Sequence, residues 1–375
     1  MRRQPSSTVP LAAAYGALVV YASLYPFSGW YHPQGLLSLA FLNVPWPRWW
    51  DRFDVAANLL GYLPLGALVF AAVLRSGRRA RLALAAAIVL PSLLSVTMEM
   101  LQNYLPQRVP SALDWVLNTA GATLGALLGA LAHRFGFTLR WQSVRERWFV
   151  ARSAGGLALM LLWPVGLLFP APVPLGLGQF FAQLHDAVAA IGDWMQGVPW
   201  AAGWAAVLVL DGAPASRLSP LAEGALTALG LLAPCLLAYT IMRPGWRRLA
   251  TVLGAAVFGF AGTTLSTALN FGPLHALAWL TPFVLPAFAT AMLAAALLVG
   301  VSRRTAMAVG LVAVTALVVL VAQAPADPYF ADSLQAWEQG RFIRFHGVAQ
   351  WVGWLWPYAV LAYLLRRVSA RDDPG

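Results

Sequence analysis

Long apolar runs alternate along this chain with short breaks rich in Arg, Pro or Trp, and each run approaches the roughly twenty residues that an α-helix needs to cross a bilayer. Ten such runs predict spans near 10–27, 54–74, 82–104, 113–132, 153–170, 221–242, 249–269, 282–301, 305–323 and 348–365. The runs are continuous rather than alternating apolar and polar, which argues for helices over barrel strands. The expected fold class is all-α: a polytopic integral membrane protein with ten transmembrane helices.

Composition strengthens this reading. Of 375 residues, 60% are hydrophobic and 10% charged, and the mean hydropathy is +0.67, outside the range of soluble domains.

Charge then orients the helices. All 25 basic residues are Arg. They cluster at Arg2/Arg3, Arg75 to Arg81, Arg134 to Arg152, Arg243 to Arg248, Arg303/Arg304 and Arg366 to Arg371, which are alternate breaks in the ten-span count. Those breaks hold 19 Arg and three acids, the other side six Arg and 11 acids, so the positive-inside rule sets both termini in the cytoplasm. The net charge of +11 is then a topology signal and a contact with anionic lipid, and no nucleic-acid partner is expected.

Leu11 onward continues without a small-x-small cleavage site, so the first run is expected to stay as a span. Cys235 lies within a predicted span and forms no disulfide framework. The outward breaks 28–53, 171–220 and 324–347 are rich in Pro, Trp and Phe, which suits segments in the interface. Trp337, Phe342, Phe345 and Trp351 are spaced for an amphipathic anchoring helix before the last span.

Polar residues concentrate at one depth. Glu99 and Gln102 share a face near the outer end of the third span, Arg108 follows in the loop, and Asp114 and Asn118 open the fourth span on one face. Asp54 and Asn58 do the same at the outer start of the second. Both inward-running helices read D-x3-N-x2-G, through Asp54, Asn58, Gly61 and through Asp114, Asn118, Gly121. That pattern predicts an acid, an amide and a close-packing glycine down one face.

These stretches carry a resemblance. SLYPF (Ser23 to Phe27), DVAANLLGYLPLG (Asp54 to Gly66), EMLQNYLPQR (Glu99 to Arg108) and DWVLNTAGATLG (Asp114 to Gly125) are similar to the VanZ-like membrane family, whose pattern resembles E-x2-Q-x5-R-x5-D-x3-N-x2-G. The resemblance covers about residues 10–130. It implies Asp54, Asn58, Glu99, Gln102, Arg108, Asp114 and Asn118 as the family residues of this chain. The family is named for an accessory factor in glycopeptide resistance, which implies a role at the bacterial cell envelope, in the inner membrane, and names no reaction.

The domain organisation expected is a VanZ-like four-helix domain over 10–132, a second four-helix unit over 153–301, and two further helices with an interfacial segment over 305–367. The second unit reads as a worn repeat. An offset of 169 residues lays Asp54 on Glu223, Asn58 on Thr227 and Gly61 on Gly230. It lacks the Glu/Gln and Asp/Asn pairs, so any chemistry is expected in the first.

Each candidate also has a plainer reading. Asp54 and Asp114 suit helix starts, the Asn residues could simply bond neighbouring helices, and Gly121, Gly125 and Gly129 suit packing. Glu99 is the strongest functional candidate, because a carboxylate within the membrane costs about 1–3 kcal/mol even near the interface. An ion pair with Arg108 is its structural alternative. The His residues are scattered, so no zinc site is expected. Asp54, Glu99 and Asp114 could offer oxygens to a hard cation, but no spacing demands one, and neither metal nor cofactor is expected.

Three functions stay open on the sequence. The cluster could bind or modulate a lipid-linked or glycopeptide-related envelope component. It could catalyse hydrolysis or transfer, with Glu99 as general acid or base, Asp114 or Asp54 ionised and Arg108 stabilising negative charge. It could instead scaffold an envelope protein. The missing nucleophile and metal set puts binding first.

Overall fold

The computed structural model describes residues 8–25, 27, 29–31, 52–106, 108–137, 147–150, 153–196, 218–324 and 343–369. Trp337 and Phe342, the side chain of Phe345 and most of the outward breaks lie outside them. The chain forms two compact units, 1–143 and 144–375.

The first unit contains α1 (Thr8–Leu24), α2 (Arg52–Arg75), α3 (Ala80–Gln102) and α4 (Ala112–Arg134). Sequence sets their ends: Asp54 lies in the first turn of α2 and Arg75 in its last, matching the helix dipole. Ser111 caps α4, its hydroxyl accepting from the backbone N–H groups of Leu113 and Asp114.

Small residues bring α2 and α4 together. A Cβ at Gly121 would collide with the carbonyl of Leu59, one at Gly125 with that of Leu63, and one at Gly66 with that of Ala122. The two D-x3-N-x2-G segments are therefore not equivalent. Gly61 has open space where a Cβ would sit, and its carbonyl accepts the Tyr15 hydroxyl from α1 at 3.0 Å. Gly66, five residues further on, makes the close approach instead.

The second unit contains α5 (Ala154–Leu167), α6 (Phe180–Gln196), α7 (Pro220–Ile241), α8 (Trp246–Phe271), α9 (Val284–Leu297), α10 (Arg303–Ala322) and α11 (Ile343–Ser369). Its centre is α7, whose Leu226, Leu231, Leu236, Leu237, Tyr239 and Ile241 are fully buried against the helices around it. The two additional helices expected over 305–367 are α10 and α11, which lie in this unit. Trp356 on α11 donates to the carbonyl of Leu159 on α5 at 2.7 Å.

A helix stands at each of the ten positions expected for a span. Seven of the described helices are long and apolar enough to cross a membrane, while Thr8–Leu24, Ala154–Leu167 and Val284–Gly300 are apolar but shorter. One further helix, α6, falls in the expected loop 171–220. Its Phe181, Leu184, Val188, Ile191 and Trp194 recur at helical spacing among polar residues, which a search for continuous apolar runs passes over.

Candidate functional site

The polar residues singled out in the sequence sit on the first turns of α2, at the end of α3, in the loop after it and on the first turns of α4, and Glu99, Gln102 and Arg108 each hydrogen-bond a backbone group. Glu99, 3% exposed, lies less than a turn from the end of α3. Its Oε2 accepts the backbone N–H of Ser111 at 2.9 Å. Ser111 is the residue that caps α4, so the carboxylate faces the positive end of that helix. A hydrogen-bonded carboxylate at a helix N-terminus offsets much of the cost of its burial.

Gln102 and Arg108 treat α1 in the opposite sense. Gln102 Nε2 donates to the carbonyl of Ser23 at 3.0 Å. An Arg108 guanidinium nitrogen donates to the carbonyl of Tyr25 at 2.9 Å. These carbonyls belong to the last turn of α1 and its exit, where no intrahelical donor remains. A cation there also complements the negative end of the dipole. In E-x2-Q-x5-R, the acid thus holds the start of α4 and the amide and cation hold the end of α1.

Beneath this clasp is a more deeply enclosed set. Asn118, 5% exposed, donates from Nδ2 to the Ser95 hydroxyl at 3.0 Å. Ser95 lies one turn below Glu99 on α3, and the Tyr62 hydroxyl of α2 is buried with no hydrogen-bond partner among the described residues. One turn above Tyr62 is Asn58. Asn58 Nδ2 and Asn118 Oδ1 are buried with no hydrogen-bond partner among the described residues. Buried polar atoms of this kind are uncommon enough to require an explanation.

The remaining two candidates are placed differently. Asp114 is half-buried, three residues after the Ser111 cap, with its own N–H directed at the Ser111 hydroxyl. Asp54 is exposed in the first turn of α2. No three His, Cys, Asp or Glu gather into a metal-binding group among the described residues.

Sequence reasoning missed Tyr62, Ser92, Ser95 and Ser111. Ser95 and Glu99 stand four residues apart on α3, a helical-face signal that was available. Ser92 accepts the Trp115 indole N–H at 3.0 Å and meets the Thr119 hydroxyl at 2.9 Å, extending the polar seam between α3 and α4 downward.

The arrangement holds three helix ends in register over buried amide groups, which suits recognition of a polar group presented from the clasp end. No curated protein and no solved structure matches the chain. The VanZ/LLP1 family model matches residues 7–133, so the unit built from α1 to α4 is VanZ-like, and α5 to α11 lie beyond the match.

Proposed function

We propose that this is a multi-pass protein of the bacterial cytoplasmic membrane whose VanZ-like unit binds or modulates a lipid-linked or glycopeptide-related envelope component at the extracytoplasmic ends of α1 to α4. The observation that carries this reading is the pair of buried, unpartnered amide atoms, Asn58 Nδ2 and Asn118 Oδ1, one a donor and the other an acceptor. Sugar and peptide groups carry both functions and could pair with them. The VanZ/LLP1 match over residues 7–133 and the seven long apolar helices support the membrane setting.

Binding stands ahead of catalysis because Glu99 Oε2 already holds the Ser111 N–H, an engagement that suits an orienting group better than a proton carrier. Scaffolding is the second reading, favoured by the backbone partners of Glu99, Gln102 and Arg108.

The test pairs Asn58→Ala/Asn118→Ala with Arg108→Ala, scoring membrane abundance and glycopeptide sensitivity together. On the binding reading the Asn variant keeps its abundance and loses the phenotype, whereas Arg108→Ala loses both. Loss of phenotype only in step with abundance, in every variant, would leave scaffolding in its place.

A further inference from the structure

A cavity of about 700 Å³ lies within the second unit, in the part of the chain where the sequence suggested no chemistry. It owes its shape to an unusual segment. α5 ends after 14 residues, about 21 Å at 1.5 Å per residue and short of the roughly 30 Å hydrocarbon core. The chain does not then leave the bundle: Phe169, Val173, Leu175 and Leu177 are all buried although no helix is formed there.

Leu175 marks how deep the segment goes. It lies against Gly230 and Gly259, near the midpoints of α7 and α8. Irregular backbone at such depth is tolerated only where protein buries it or where it lines a cavity. Here its backbone is secured on several sides. The Leu168 carbonyl accepts the Ser266 hydroxyl at 3.0 Å, Gly178 N–H donates to the Gly353 carbonyl at 3.0 Å, and the Gly178 carbonyl accepts the Tyr358 hydroxyl at 2.9 Å. Leu175 itself has φ +63°, a strained value for a branched side chain. Strain held in place by so many partners is a common mark of ligand sites.

The lining joins apolar surface to a few polar groups. Phe169, Val173, Leu175 and Trp279 give one wall, and Glu223 and Thr227, one turn apart on α7, face Thr263, Ser266 and Thr267 of α8. Thr263, 9% exposed, has a buried hydroxyl with no hydrogen-bond partner among the described residues. Glu223 is the single Asp, Glu, Lys or Arg among the described lining residues, and His275, which is exposed, is the other side chain there that can carry charge. A carboxylate without a neighbouring Arg repels an anionic head and accepts from hydroxyls. The volume falls in the range of small-molecule sites.

We propose that the second unit binds an amphiphile with one apolar chain and an uncharged, hydroxylated head, the chain lying along Phe169 to Leu175 and the head bonding to Glu223 and Thr263. The proposal stands independently of the function assigned to α1 to α4.

The test uses the full-length protein in lipid nanodiscs and a diazirine-bearing alkyl glucoside. Labelling should saturate, map to 168–179 and 263–284, and be competed by unlabelled glucoside about tenfold better than by the alkyl phosphate of the same chain, since only the phosphate brings an unpaired charge to Glu223. Thr227→Trp, which fills the cavity, should abolish the saturable labelling. Glu223→Arg, at wild-type abundance, should reverse the preference toward the phosphate. Labelling that never saturates, equal competition by both heads in the wild type, or no change in preference in Glu223→Arg would each overturn the proposal.

Discussion

Glu99 and Ser111 are joined at 2.9 Å, carboxylate to backbone N–H, across the loop that connects α3 to α4. The bond gives Glu99, expected from the sequence to be a proton carrier or half of an ion pair, a further part as the anchor of a helix start. It predicts a graded response. Glu99→Gln keeps an acceptor oxygen and should lower the melting temperature little. Glu99→Leu leaves the Ser111 N–H without that acceptor and should cost about 1–3 kcal/mol. Thermal unfolding of the purified variants in one detergent measures the difference, and equal melting of the two would remove the anchoring role.

Gly125 and Gly61 looked alike as small residues on neighbouring inward helices, yet their surroundings predict opposite outcomes. Alanine at Gly125 would drive a Cβ into the Leu63 carbonyl and force α2 and α4 apart. Alanine at Gly61 meets nothing within 4 Å and should be neutral or stabilising by about 0.5–1 kcal/mol through helix propensity. The same melting assay distinguishes them, with Gly125→Ala falling and Gly61→Ala holding or rising.

Helix positions were legible because a continuous apolar run is itself the span signal: 54–74 became Arg52–Arg75 and 113–132 became Ala112–Arg134. Candidate site residues were legible because polar side chains stand out in such runs. Their partners were not, since Glu99 to Ser111 and Arg108 to Tyr25 depend on how helices meet. The buried segment from Phe169 to Gln179 was hidden for a related reason. Its Pro-rich composition reads as an outer loop, and its burial comes from α7, α8 and α11. Arg248 shows the same limit from the other side.

In sequence Arg248 is one of a cytoplasmic cluster, but in the fold it is wholly buried. Its guanidinium donates to the carbonyls of Val299 at 2.9 Å, Val301 at 2.8 Å and Tyr239 at 2.9 Å, and lies 5.1 Å from the centre of the Tyr239 ring. The planar fork ties the end of α7 to the turn after α9, a task a Lys ammonium cannot match in geometry. Arg248→Ala should therefore cost about 3–5 kcal/mol, with Arg248→Lys intermediate. Arg247→Ala, which removes a guanidinium about 6 Å from the Trp148 and Trp246 rings, should cost about 1 kcal/mol or less. Protein yield and melting temperature report the order, and equal loss at the two positions would contradict it.

The short helices decide the topology. If α5 crosses the membrane with its 14 residues, reporters fused after Arg152 and after Leu218 will lie on opposite sides, the first inside by its Arg-rich surroundings. If α9 crosses, fusions after Leu274 and after Arg303 will also differ, again with the Arg side inside. Fusions after Arg79 and Arg108 supply the reference: α3 between them is long and apolar enough to cross, and the positive-inside rule predicts the first inside and the second outside. Paired phosphatase and fluorescent reporters read each site in both senses. The same side for Arg152 and Leu218 would mean that α5 and the buried segment after it enter and leave by one face. The Arg clusters beyond α7 would then fall on the wrong side of the positive-inside rule, so the ten-span reading requires the two sites to differ.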